Sequence, residues 1–401
     1  MQLHLFNPEN DLAIADGNAN YCAPPSALKI AYDLSTLPLW YADEEDKVYI
    51  PDILHSEYYK EYSQKFSLPR TYQTEDINNI TNCVPWGWSK YIRKRFESMG
   101  FSNDILISFE TIDRLRELSN RKITIEILKK LKELQVDIPQ LPRYITNPDK
   151  VGEFICSMPL SVIKAPWSGS GKGIAWGLGR MEIPVEHFYK GVIRRQGGVV
   201  CEKFLNKTVD FAMEFYYKNG RITFAGYSLF KSVKGVYSGN ILALDSEIET
   251  FLSSYTPKTP ISKVKDSLII VLEDIFNGLE YEGYLGIDMM IYSDENNNYH
   301  INPCVELNLR TNMGIASRIL YNKHIDNKCV GEFNVTFYKQ NGEALKIDNE
   351  LKQKYPPTIC NGKLCDGYMS LSPINEETKY SAYVIVSKTD NQNSLSSLYN
   401  R

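Results

Sequence analysis

Residues 281–310 read YEGYLGIDMMIYSDENNNYHINPCVELNLR, two apolar alternating runs around the polar stretch 293–298. Alternation on both sides of an Asp- and Asn-rich turn predicts an antiparallel hairpin. With the turn centred near Asn297, Asp288 falls opposite Glu306, and cross-strand partners share one face of a sheet. Asn308 and Arg310 follow Glu306 at the period of two that keeps side chains on that face. Hard oxygen ligands on rigid strands suit Mg²⁺, which is usually held by one or two carboxylates together with substrate phosphates. Asp288, Glu306 and Asn308 are the candidate metal ligands, and Arg310 is the candidate catalytic cation, placed to steady charge developing in phosphoryl transfer. By itself Glu-x-Asn-x-Arg is more often a solvated sheet face with an incidental ion pair.

A second segment shifts that balance. Residues 165–179, APWSGSGKGIAWGLG, place Ser168, Gly169, Ser170, Gly171, Lys172 and Gly173 in a loop whose backbone N–H groups can turn toward phosphate oxygens. It is not a Walker A loop, because Gly follows Lys172, nor a dinucleotide fingerprint, because Ile174 stands where the third Gly belongs. Lys164 closes the apolar run just before it, and a cation at the edge of a buried strand needs an anion, either a nucleotide phosphate or a structural carboxylate. Downstream, GGVVCEKFL carries Glu202, Lys203, Phe204 and Leu205 after an apolar strand, where backbone groups could read the edge of a base.

In order, Arg121 or Lys122 before a helix, Lys164, the Gly-rich loop, residues 202–205, Asp288 and the Glu306, Asn308, Arg310 series resemble the ATP-grasp superfamily over residues 115–320. The resemblance implies an α/β (α+β) chain with four parts: an N-terminal open α/β domain (1–115), a lid subdomain with the Gly-rich loop (116–205), a C-terminal antiparallel subdomain carrying the metal site (206–330), and an extension packed on it (331–401). It implies ATP and Mg²⁺ as cofactors, and a ligase that activates a small carboxylate as an acyl-phosphate for attack by an amine. Lys164 would touch the α- and β-phosphates, residues 168–173 would cover the triphosphate, Lys203 and Leu205 would present backbone to adenine, and Asp210 would bind the ribose. Lys231 looks like a further basic contact to the γ-phosphate or the acyl-phosphate. Arg121 fits the family spacing and Lys122 fits by residue type. Homodimers are common in the family. Position 286 is Gly where the D-alanine-D-alanine ligase branch carries Arg, and the Glu-x-Asn-x-Arg pattern resembles the carboxylase and purine-pathway branches, so the branch stays open. A small-molecule kinase on the same fold and a nucleotide-binding module without turnover are the competing readings.

The remaining text is consistent with an enzyme of this kind. LHLF followed by Asn7-Pro8 reads as a first buried strand, with further strands expected at 47–50 and 104–107 and a helix at 89–99. Ligands of open α/β sheets bind beyond the carboxyl ends of strands, so Asn7, Glu9, Asn10 and Asp11 are candidate substrate residues. The bland alternative is a helix start with Asn10 or Asp11 as N-cap. Trp86 and Trp88 either line the same cleft or anchor packing. Helices are expected from Ile125, Leu128, Leu131 and Leu134 with a stop at Pro139, and from Leu268, Val271, Leu272, Ile275 and Leu279. Asn219-Gly220 between two alternating runs predicts another hairpin. SAYVIV (381–386) reads as a strand and the end of the chain as polar and frayed.

A formal charge of −4 without a long basic block disfavours a nucleic-acid partner. No apolar run reaches the ~18 residues of a spanning helix and the start has no basic region before an apolar one, so the expectation is a cytoplasmic protein without a membrane partner. Eight scattered cysteines, without CxxC pairs, read as reduced thiols. The five histidines lie apart from every motif above and receive no catalytic role.

Overall fold

A computed structural model of the chain describes residues 1–169, 173–233, 236–256, 260–389 and 395–399, which form three sheets. The first contains β1 (Gln2–Leu5), β2 (Lys47–Val48), β3 (Arg70–Thr71) and β4 (Asn82–Pro85), all parallel in the order β3-β2-β1-β4. Leu3 and Leu5 on one face of β1 and His4 on the other are all buried, as a sheet covered on both faces requires. The helix at 89–99 is present as Lys90–Ser98, with Ser89 as its cap. The strand expected at 104–107 is instead a 3₁₀ turn, Asn103–Ile105, because Ser102 Oγ accepts the Asp104 N–H at 3.1 Å and bends the chain before it can extend.

A small antiparallel sheet follows: β5 (Arg143–Ile145), β6 (Ser161–Lys164), β7 (Ile174–Gly177) and β8 (Val199–Lys203), in the order β5-β8-β6-β7. Helices Pro148–Cys156 and Ile183–Gln196 cover one face, closing a separate core around Val151, Phe154, Ile163, Val192 and Cys201. The preceding helix, Ile123–Glu133, belongs to the main core instead: Ile123, Ile127, Leu128 and Leu131 are buried there. It stops at Gln135, which turns left-handed (φ 58°), before Pro139 is reached, and that leaves Leu134 exposed.

The third sheet has nine strands: β9 (Asn206–Lys218), β10 (Arg221–Val233), β11 (Val236–Leu242), β12 (Gly283–Ser293), β13 (Tyr299–Asn308), β14 (Cys329–Phe337), β15 (Thr358–Cys360), β16 (Lys363–Ser370) and β17 (Tyr380–Lys388). Their order is β13-β12-β9-β10-β11-β14-β17-β16-β15. Asn219 and Gly220 both take positive φ (50° and 76°) and close the β9–β10 hairpin with Lys218 opposite Arg221. The strands after residue 330 continue this sheet, and β14 itself runs across that position. The end of the chain is not frayed throughout: Leu395–Tyr399 is a helix whose Leu395 and Leu398 are buried in the main core.

Alternation along the central strands gives the sheet two unlike faces. Phe211, Met213 and Phe215 of β9 and Ile287, Met289 and Ile291 of β12 are 0–1% exposed, in one core with the helices Ile123–Glu133 and Ile261–Ile275. Val264, Leu268, Val271 and Leu272 of the latter helix are buried there, each contributing about 2 kcal/mol of apolar transfer. Residues of the opposite parity, Asp210, Ala212, Glu214 and Asp288, therefore point the other way.

Candidate active site

β12 and β13 meet as the outer hairpin of this sheet, with Asp288 facing Glu306 and Gly286 facing Asn308. The turn does not set that register by itself. Next to the turn Met290 pairs with Asn302, and continued regularly the ladder would bring Cys304 opposite Asp288. A bulge intervenes: the stretch from Asn302 to Glu306 spans the same length as Asp288 to Met290, around Pro303, which has no N–H to give the ladder. An even number of extra residues leaves the facing unchanged, so two carboxylates meet across the strands. The Asp288 carboxyl is pushed up to about 7, by burial first and by the Glu306 charge second, with Arg310 and an Asn308 hydrogen bond opposing.

Two arginines flank the acids. Arg121, 5% exposed, donates from Nη2 to Glu306 Oε1 at 2.8 Å and from Nη1 to Ala165 O (2.8 Å) and Ser168 Oγ (2.5 Å). It thereby ties the helix start to the base of the Gly-rich loop and to the hairpin, while neighbouring Lys122 is exposed. Of the two candidates, Arg121 is the one that reaches the acids. Arg310 donates from Nε and Nη2 to the two oxygens of Asp11 (2.6 and 2.8 Å), from Nη2 to Asn308 Oδ1 (3.1 Å) and from Nη1 to Thr311 O (3.1 Å).

Around the Gly-rich loop, Ala165 N–H donates to Gly173 O at 2.8 Å and closes its base, and Gly173 takes φ 81°. Gly169 lies against Asp11: a Cβ there would fall 2.7 Å from Asp11 Oδ2. Ser170, Gly171 and Lys172 lie outside the described residues. The anion beside buried Lys164 is Glu202 of the neighbouring strand, so the structural carboxylate is the partner present. Lys203 is exposed, Phe204 and Leu205 are half-buried, and the Phe204 ring meets Trp176 of β7 edge-on at 5.7 Å. Asp210 shares the Asp288 face and accepts from Ser232 Oγ (2.6 Å) and Lys207.

Lys231 does not join the site. It lies one residue from Phe230 and Ser232, which face Asp210's side of β10, and so points through the opposite face, where it donates to Glu332 Oε1 (2.8 Å) and Leu398 O (2.6 Å). Two of the four N-terminal candidates, Asn7 and Glu9, are absent from the lining of the small cavity beside Arg310, whereas Asn10 and Asp11 border it. Asn7, 0% exposed, clamps the 86–88 loop by exchanging hydrogen bonds with Gly87 O (2.9 Å) and Gly87 N (3.3 Å). Asn10, with its amide nitrogen toward that loop, donates to the Gly87 and Trp88 carbonyls (2.9 and 3.1 Å). Glu9 is buried at the N-cap position, with burial raising its carboxyl, and neither Asn10 nor Asp11 caps the helix Asn10–Asp16. Trp86 and Trp88 pack against Phe6 and Phe96, and Trp86 O accepts the Thr311 N–H at 3.0 Å, so this loop braces the segment that follows Arg310.

One group was missed. Glu214, 1% exposed on β9, accepts from Asn312 Nδ2 at 2.9 Å, and Asn312 Oδ1 in turn caps the helix Met313–His324 by accepting the Ile315 N–H at 2.8 Å. Gly286 and Gly314 make room for it: a Cβ on either would fall 2.4 or 2.2 Å from a Glu214 oxygen. Its carboxyl is pushed up to about 8, chiefly by burial. The signal was present in VDFAMEFYY, where alternation puts Glu214 on the face of Asp210.

Among the described residues no group of three or more His, Cys, Asp or Glu side chains is gathered as a metal cage. Two facing carboxylates with one amide beside them are instead the donor set Mg²⁺ accepts when phosphates complete its shell, and an acid raised by burial and then by a like-charged neighbour is one that a cation would relieve. A small cavity of about 30 Å³ lies between Asp11, Ser168, Glu306, Asn308 and Arg310. No helix among the described residues is long and apolar enough to cross a membrane.

No family model matches the sequence, and no curated protein matches it. Solved structures do match. The N5-carboxyaminoimidazole synthetase of Staphylococcus aureus, complexed with ADP, is 12% identical over 100% of this chain and 96% of its own, with a TM-score of 0.50. The biotin carboxylase domain of the Hydrogenobacter thermophilus 2-oxoglutarate carboxylase, in complex with MgADP, ADP and bicarbonate, is 10% identical over 96% of this chain and 85% of its own, also with a TM-score of 0.50.

Proposed function

We propose that this chain, which has the ATP-grasp fold, is a Mg²⁺- and ATP-dependent ligase that activates a small carboxylate as an acyl-phosphate for attack by an amine. The observation that carries the reading is the cross-strand pair Asp288–Glu306, with Asn308 beside it and Arg121 and Arg310 on either side. Asp288, Glu306 and Asn308 would hold the metal, whose chemistry is to neutralise the transferring phosphoryl group. Arg121 fixes the Glu306 carboxylate in direction and joins it to the loop that would cover the phosphates. Lys164 and the backbone of residues 168–173 are proposed for the triphosphate, the backbone of Lys203 and Leu205 for adenine, and Asp210 for the ribose. Arg310, whose charge acts on both Asp288 and Glu306, is proposed to steady the activated carboxylate. The small sheet with its own core would be the lid, the nine-stranded sheet the catalytic body, and the parallel sheet the unit that helps bind the acceptor. A cytoplasmic homodimer acting only on small molecules completes the proposal.

The test is a screen of small carboxylates and amines for Mg²⁺-dependent ADP formation, with the product identified by mass. A new amide with stoichiometric ADP supports the ligase. A stable phosphorylated product would make it a kinase, and ATP binding without turnover under every pair would make it a binding module.

A further inference from the structure

We infer that Asp11 is a latch: it occupies the Arg310 guanidinium in the place the substrate's carboxylate takes, and yields to it. The inference rests on the ligase reading, since it concerns what Arg310 must do there. A guanidinium has five N–H donors. In Arg310 two go to Asp11, one to Asn308 and one to Thr311 O, which leaves one. Recognition of a carboxylate by two parallel N–H bonds needs a free edge, and the Nε and Nη2 edge is taken. While that pair stands, the Arg310 charge is also neutralised at contact distance and has little left for an incoming anion.

The cavity beside Arg310, about 30 Å³, is far smaller than an organic acid needs, so one of its walls must move to admit one. Glu306 and Asn308 are fixed by the register of β13, and Ser168 is held by Arg121. Asp11 is different: among the described residues its carboxylate has no hydrogen-bond partner except Arg310. It stands in the first turn of a seven-residue helix and is partly exposed, with 23% of its side chain open, so it can leave Arg310, and its release takes from that short helix its tie to the hairpin. Its other neighbour is Gly169, at the start of the Gly-rich loop. One carboxylate therefore touches the N-terminal unit, the phosphate loop and the reacting centre, and the acid to be activated would be what frees all three. The alternative is that Asp11 holds Arg310 in place throughout the reaction.

Acetate serves as the probe. Amide exchange of residues 10–16 is followed by mass spectrometry while sodium acetate is titrated against sodium chloride at equal ionic strength. The latch predicts faster exchange of this helix with acetate in the wild type, no response in Arg310→Lys, and fast, acetate-indifferent exchange in Asp11→Asn. With the latch closed in roughly nine molecules of ten, Asp11→Asn binds acetate about tenfold more tightly. Gly169→Ala, whose methyl would collide with Asp11, shifts the affinity in the same direction and serves if Asp11→Asn does not fold. A wild-type helix indifferent to acetate, an Asp11→Asn helix that still responds, or equal or weaker acetate binding in Asp11→Asn overturns the latch. None of these readings needs turnover. A working latch without ADP formation would count against the ligase alone, and ADP formation with an acetate-indifferent helix against the latch alone.

Discussion

Glu214→Gln tests how the buried face beside the acids is balanced. The carboxyl titrates at about 8 in the folded chain against 4.5 for an ordinary glutamate, because burial and the nearby Asp288 outweigh the Asn312 hydrogen bond and Arg310. Between those pH values the folded state holds a proton the unfolded state has lost, so stability falls as pH rises through the window. At about 1.4 kcal/mol per pH unit, ionising Glu214 removes about 5 kcal/mol from the folded chain by pH 9. Glutamine keeps the shape, still offers Asn312 an acceptor, and cannot ionise. With an unfolding entropy of about 2.1 cal/mol/K per residue over 401 residues, 5 kcal/mol is about 6 °C in Tm. Thermal melts in EDTA at pH 5 and pH 9 are the assay. Variant and wild type should differ by only about 1 °C at pH 5 and separate by about 6 °C at pH 9, the variant higher. An equal gap at both pH values would refute the reasoning, since it would show that Glu214 acts by shape and not by charge.

Glu306→Gln should abolish Mg²⁺-dependent ADP formation while leaving the far-ultraviolet circular dichroism unchanged; undiminished turnover would remove the hairpin from the site. Lys231→Ala should leave the rate of ADP formation unchanged and weaken stability by no more than about 1 kcal/mol, since its partner Glu332 is partly exposed; a lost turnover in stopped assays would return Lys231 to the reacting face. Leu268→Ala, in the helix beneath the sheet, should lower the free energy of urea unfolding by about 2–5 kcal/mol, and a smaller loss would mean that the core collapses around the vacancy.

Much of the site could be read from the text because strand alternation is a strong signal. It placed Asp288, Glu306, Asn308 and Arg310 on one face, and a bulge that alternation cannot reveal kept them there. The same rule applied to β10 would have excluded Lys231, which differs in parity from Ser232; residue type was allowed to outweigh position. Asn7, Glu9 and Asn10 follow the expected strand, yet polarity alone could not tell a residue facing a cleft from one holding the loop beside it, and Asn10 does both. The choice between Arg121 and Lys122 depended on the direction of the first helical residues, which only long-range contacts with Ala165, Ser168 and Glu306 decide. Leu395–Tyr399 read as loose because its anchors are far away: Leu398 O accepts from Lys231, and the Tyr399 ring meets Phe251 at 5.4 Å.

β13 forms one border of the nine-stranded sheet, and such a border presents unpaired backbone groups to any other extended chain. The kink around Pro303 breaks the straight run that a foreign strand would need. The irregularity that brings two acids into opposition thus also guards the molecule against sticking to itself. Straightening it, by deleting two residues between Asn302 and Glu306, would expose the protein to aggregation even if the acids were restored elsewhere.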